Sequence, residues 1–115
     1  MSPGIKYKHY DPTTKSILVY SKENDKMIEK IKELAQNKNV VILCKTKNLN
    51  KYNAQNKLSM GDTLEEISHN IFAVLRKADK YNAELILIEG VEKKGLGLAI
   101  MNRLIRACAH EFIDI

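Results

Sequence analysis

Val40-Val41-Ile42-Leu43-Cys44 decides the fold. A strand with one wet face alternates apolar and polar positions, so an unbroken apolar run of strand length reads as a strand covered on both faces. Leu85-Ile86-Leu87-Ile88 repeats the pattern, and Ile17-Leu18-Val19-Tyr20, closed by Ser21, adds a shorter strand. Between these runs the apolar spacing changes to three and four residues. Met27, Ile28, Ile31, Leu34 and Ala35 form one helical stripe, with Ser21 or Asn24 available as its cap, and it ends at the polar Asn37-Lys38-Asn39. Thr63-Leu64-Glu65-Glu66 is a capping box. It opens a helix whose core face is Leu64, Ile67, Ile71, Phe72, Leu75 and Ala78 and which runs out near Tyr81-Asn82. A final helix after Gly95 and Gly97 buries Ile100, Met101, Leu104, Ile105 and Cys108, and Leu58 to Met60 reads as a short strand. Strand and helix therefore alternate. The expected fold is α/β, a small Rossmann-like three-layer α/β/α domain with a mostly parallel sheet over residues 15–115, preceded by an arm over residues 1–14.

The chain has 115 residues and 13.1 kDa, with 44% apolar and 29% charged residues, which is the composition of one globular domain. Its apolar runs are only a few residues long, which excludes a membrane-spanning helix, and its composition excludes fibrous and disordered classes. Cys44 and Cys108 stand far apart without metal or redox spacing, and no signal peptide precedes them, so both read as buried thiols of a cytoplasmic protein. His9, His69 and His110 share no ligand spacing, and no metal site is expected.

Charge is unevenly placed. The net charge is +5, and between Leu34 and Gly61 stand Lys38, Lys45, Lys47, Lys51 and Lys57 with no arginine and no carboxylate. Such a stripe fits either a solvated loop or a weak contact with RNA phosphates; the lack of Arg and of interleaved aromatics favours the loop.

Three further features carry chemistry. Gly95-Leu96-Gly97, after a strand and opening a helix, resembles a phosphate-binding turn, but the third glycine of the dinucleotide fingerprint is Ile100 and the chain ends one helix later. Tight helix packing is the competing reading of those glycines. Asn102 and Arg103 follow on the polar side of that helix as candidate ligand contacts, and Glu89-Gly90 ends a strand where open α/β sheets bind ligands. The arm Ser2-Pro3-Gly4-Ile5-Lys6-Tyr7-Lys8-His9-Tyr10-Asp11-Pro12 is the least ordinary stretch. It sets two cations, a histidine and two tyrosines side by side between prolines, a set suited to anion contact and to stacking on a base.

That arm resembles the Ser-Pro-Gly-Met-Lys-Tyr-(Lys or Arg)-His-Tyr-Ala-Pro linker of the long-form threonylcarbamoyl-AMP synthases among the YrdC-like enzymes. Ile5 replaces the usual methionine and Asp11 the usual alanine. Leu75-Arg76-Lys77-Ala78-Asp79 resembles the Leu-Arg-x-x-Asp helix end of their C-terminal domain. Gly95-Leu96-Gly97-Leu98-Ala99-Ile100-Met101-Asn102-Arg103-Leu104, followed by Arg106-Ala107, resembles its Gly-Leu-Gly-x-Ala-Ile-x-Asn-Arg-Leu signature.

The resemblance implies an accessory domain and linker, with chemistry in a YrdC-like catalytic domain absent from these residues and joined in cis. That domain makes threonylcarbamoyl-AMP and pyrophosphate from threonine, bicarbonate and ATP for threonylcarbamoyladenosine formation in tRNA. It also holds the ATP, with magnesium, and the threonine, so no cofactor is expected in the 115 residues, which alone would be inactive. The linker would cover the nucleotide site through Lys6, Tyr7, His9 and Tyr10. Met1 directly before Ser2-Pro3-Gly4 marks the expected domain boundary. The rival expectation is an independent nucleotide- or RNA-binding module using the lysine stripe and the Gly95 to Gly97 turn. A free-standing enzyme ranks last, since no base, nucleophile and orienting group fall together.

Overall fold

The computed structural model describes residues 12–115. In chain order the elements are β1 (Ser16–Tyr20), α1 (Asn24–Ala35), β2 (Val40–Lys45), a 3-10 turn (Thr46–Lys51), β3 (Asn56–Gly61), α2 (Leu64–Asp79), β4 (Leu85–Glu89), α3 (Leu96–Ala107) and β5 (Phe112–Asp114). The five strands form one sheet in the order β3-β2-β4-β1-β5, and every pairing is parallel. The expected three-layer α/β domain is what forms, and its sheet is wholly parallel.

The unbroken apolar runs occupy the middle of the sheet. β2 lies beside β4, with Val41 opposite Ile86 and Leu43 opposite Ile88. Successive side chains point to opposite faces, so each run feeds two cores. Leu18, Val41, Leu43, Ile86 and Ile88 pack against α2 and α3. Val19, Ile42, Cys44 and Leu87 pack against Met27, Ile28 and Ile31 of α1 and against Tyr52.

Helix termini divide into one capped by its own sequence and one that is not. Thr63 accepts from the Glu66 N–H at 3.1 Å while Glu66 Oε1 accepts from the Thr63 N–H at 3.1 Å, the capping box expected from the sequence. For α1 neither Ser21 nor Asn24 is the cap. The N-cap is Glu23, which makes no side-chain cap bond; Ser21 Oγ accepts from the Glu23 N–H one turn earlier, and Asn24 is already helical. Asn37 and Asn82 take positive φ just beyond α1 and α2, which asparagine tolerates better than most residues. β3 extends to six residues where the sequence suggested three, because the buried β2 templates its partner from Val41 onward. β5 was not expected at all; among the described residues it pairs only with β1, through Leu18, Val19 and Tyr20.

Candidate functional site

Connections leave β1 and β4 for opposite faces: α1 covers one side of the sheet, and α2 and α3 the other. The carboxyl ends of β1, β2 and β4 therefore border the crevice in which open α/β sheets bind ligands. At that end one side chain of β4 is bound by groups of its own chain. Glu89, wholly buried at the end of β4, accepts hydrogen bonds from the Lys45 N–H at 2.9 Å, the Tyr52 hydroxyl at 2.6 Å and Asn48 Nδ2, which lies 3.0 Å from each carboxylate oxygen. Asn48 also exchanges two 3.0 Å amide bonds with Asn24 at the start of α1. One carboxylate thus ties together β2, β4, the 3-10 turn and, through Asn48, α1. Burial, followed by the nearby Glu89 charge, pushes the Cys44 thiol up to about 12 and raises the Tyr52 hydroxyl far above its usual range. No oxygen of Glu89 is left to meet a ligand, so Glu89 is structural.

The glycine turn is built for packing. Gly95 is the N-cap of α3 at φ +58° and ψ −130°, a conformation that L side chains rarely adopt. At Gly97 a Cβ would run into the Glu92 carbonyl oxygen. The Gly97 N–H donates to the Lys94 carbonyl at 3.0 Å and the Leu98 N–H to the Gly95 carbonyl at 3.0 Å, so both amides are spent within the turn. Asn102 and Arg103 are exposed more than a turn further along α3, about 7 Å along the axis from Gly97, and do not converge with it.

The lysines do not form one face. Lys38 and Lys45 stand at opposite ends of β2, about 20 Å apart along the strand. The Lys57 ammonium is tied down by the Leu49 and Tyr52 carbonyls at 2.8 Å each. Burial, then the Lys47 charge, lowers the Lys45 ammonium below its usual range, and Lys47 and Lys51 are exposed. Near Lys38 a cleft of about 690 Å³ opens between the last turn of α1 and the loop before β3, lined by Lys32, Gln36, Asn39, Tyr52 and Gln55 among others. Among the described residues its lining includes no histidine, carboxylate or thiol. It offers a surface for binding.

At the amino-terminal end of the sheet, Asp79 closes α2 and grips the segment entering β1. Its Oδ2 accepts from the Thr13 N–H at 3.0 Å, and its Oδ1 accepts from the Thr14 N–H at 2.9 Å and the Thr14 hydroxyl at 2.7 Å. The Thr13 hydroxyl lies 3.1 and 3.2 Å from the two oxygens. A carboxylate in the last turn of a helix opposes the macrodipole by about 0.3–1 kcal/mol. These bonds offset that cost.

The family model of the threonylcarbamoyl-AMP synthase C-terminal domain matches residues 1–109. The chain belongs to that family. The threonylcarbamoyl-AMP synthase of Pyrococcus abyssi is 40% identical over 119 residues, a match covering 99% of this chain and 34% of that protein. The crystal structure of P. abyssi Sua5 with L-threonine superposes with a TM-score of 0.81 over 99% of this chain and 34% of that one, at 40% identity. A variant of the same protein, with an adjacent histidine and tyrosine both changed to alanine, gives 0.79 over 90% of this chain and 30% of that one, at 38% identity. The isolated C-terminal Sua5 domain of Pyrococcus horikoshii gives 0.68 at 32% identity over 90% of this chain and 99% of that one. This chain spans about a third of the length of the P. abyssi enzyme.

Two of the threonylcarbamoyl-AMP synthase motifs read from the sequence now have structural tasks. The Gly-Leu-Gly signature lets α3 start against the Glu92 carbonyl, and the Leu-Arg-x-x-Asp helix end supplies the Asp79 clasp. Lys6, Tyr7, His9 and Tyr10 of the linker lie outside the described residues. Thr13 and Thr14, which no motif singled out, are the residues the Asp79 carboxylate holds. Among the described residues no group of three or more His, Cys, Asp or Glu side chains is placed to hold a metal ion, and no helix is long and apolar enough to cross a membrane.

Proposed function

We propose that this chain is the linker and accessory C-terminal domain of a threonylcarbamoyl-AMP synthase whose YrdC-like catalytic domain is joined in cis. The observation that carries the reading is the family match over residues 1–109, set beside relatives about three times as long. In this reading the catalytic domain condenses ATP, threonine and bicarbonate, and the linker lies across its nucleotide site. Lys6 and His9 face phosphates, Tyr7 or Tyr10 covers substrate, and the closed linker keeps water from a carbamate intermediate that hydrolyses readily. The body serves to hold that lid. Cytoplasmic location follows from the same reading. The sequence has one His-Tyr pair, His9-Tyr10, the kind of pair replaced in the P. abyssi variant.

Among the described residues, the divided lysines and the Glu89 carboxylate, bound by its own chain, do not favour an independent nucleotide- or RNA-binding module. Deleting residues 2–10 from the two-domain enzyme tests the lid role. Pyrophosphate release with ATP, threonine and bicarbonate is expected to fall by about tenfold or more, as general acid, base and positioning groups commonly contribute at least that much. An unchanged rate would remove the lid role.

A further inference from the structure

We propose that Asp79 is a positioning residue for the linker: its clasp on Thr13 and Thr14 sets the direction in which the preceding residues leave the domain. The proposal rests on the lid reading given above and extends it to a residue remote from substrate. Pairing of β1 with β4 begins at Ser16 opposite Ile86, preceded only by the Ile86 N–H donating to the Lys15 carbonyl at 2.8 Å. Over residues 12–15 no strand pairing holds the backbone. The two successive amides there, of Thr13 and Thr14, donate instead to the two oxygens of one carboxylate. Fixing two consecutive N–H vectors against one planar group fixes the peptide between them. Both hydroxyls add to the grip, and Asp79 itself is carried on the last turn of a 16-residue helix packed into the core.

The consequence is a matter of leverage. His9 is four residues from Thr13 and Lys6 seven, so the chain lets them lie at most about 14 Å and about 25 Å from the clasp. A rotation of roughly 30° at Thr13 would swing a group 14 Å away by about 7 Å, whereas displacements near 1 Å already cost about a hundredfold in a positioned reaction. A free pivot at Thr13 would spoil a lid without touching substrate. Glutamate, one methylene longer, or asparagine, with one acceptor oxygen and an amide that faces N–H donors, would not reproduce the fork.

The test is a double-mutant cycle in the two-domain enzyme, combining Asp79→Ala with deletion of residues 2–10 and reading kcat/KM for pyrophosphate release. With the linker intact, Asp79→Ala is expected to lower the rate by about tenfold; with residues 2–10 deleted, the same substitution is expected to change it by less than about twofold. Asp79→Asn, which keeps the shape of the side chain, is the second variant should the alanine protein fail to fold, with the same pattern expected. Equal losses in the two backgrounds would mean that Asp79 acts through the stability of the body, and no loss with the linker intact would mean that the clasp is idle; either result overturns the proposal and leaves the lid reading standing. A linker deletion without effect would overturn both.

Discussion

Glu89 shows how much one buried carboxylate organises. Its two oxygens receive Lys45 N–H, Asn48 and Tyr52, drawn from the end of β2, the 3-10 turn and the loop beyond it. Removing a donor from such a set leaves a desolvated acceptor short of a partner, at about 1–3 kcal/mol. The same burial governs Cys44, pushed up to about 12, while Cys108 under α3 is raised to about 12 by burial and then Glu111. Both thiols ionise near 9.0 when exposed. Between those limits the folded state holds protons that the unfolded chain releases, so their contribution is complete below about pH 9 and is lost as pH rises toward 12. Tyr52 acts in the same direction, and Lys45, lowered by burial, in the opposite one, with the smaller shift. The urea midpoint is therefore expected to be flat between about pH 7 and pH 8 and to drop by about pH 10.5. Replacing both cysteines by alanine should shrink the drop. A midpoint that rises with pH would contradict the account.

Elements differ in how far their own sequence specifies them. α2 carries a complete capping box, whereas α1 begins at Glu23 without a side-chain cap and with an exposed Glu23–Lys26 ion pair at 3.0 Å. Thr63→Ala should cost about 1 kcal/mol in urea unfolding, against a change within about 0.5 kcal/mol for Glu23→Ala. Equal costs would refute the assignment of caps. The central strands and the three helices of the described residues were legible because β2, β4 and the helical stripes each carry their period within a dozen residues. β5 was not. It has three residues and follows two consecutive left-handed positions, Ala109 and His110, where no glycine or asparagine announces a turn. The candidate site was legible in the same uneven way. The motifs of the linker and of α3 stand in contiguous sequence, but the clasp joins Asp79 to threonines 65 and 66 positions away. Only the fold brings them together.

At the scale of the molecule, the parallel sheet gives its two ends different work. The carboxyl end, the usual ligand end of such sheets, carries the Glu89 cluster and the packed glycine turn. The amino-terminal end carries the Asp79 clasp on Thr13 and Thr14 and, beyond Asn39, the cleft beside α1. In the proposed role, a domain so arranged holds a segment for a neighbour. Its charge fits that view, since the excess of lysines is dispersed over both ends and partly bound to carbonyls. If the body exists to anchor the lid, a lid without its body should serve no better than no lid. The measurement that tests this most directly is pyrophosphate release by the two-domain enzyme after removal of residues 15–115 with residues 1–14 retained. The account predicts a rate as low as that of the enzyme lacking residues 2–10, and a rate equal to that of the intact enzyme would contradict it.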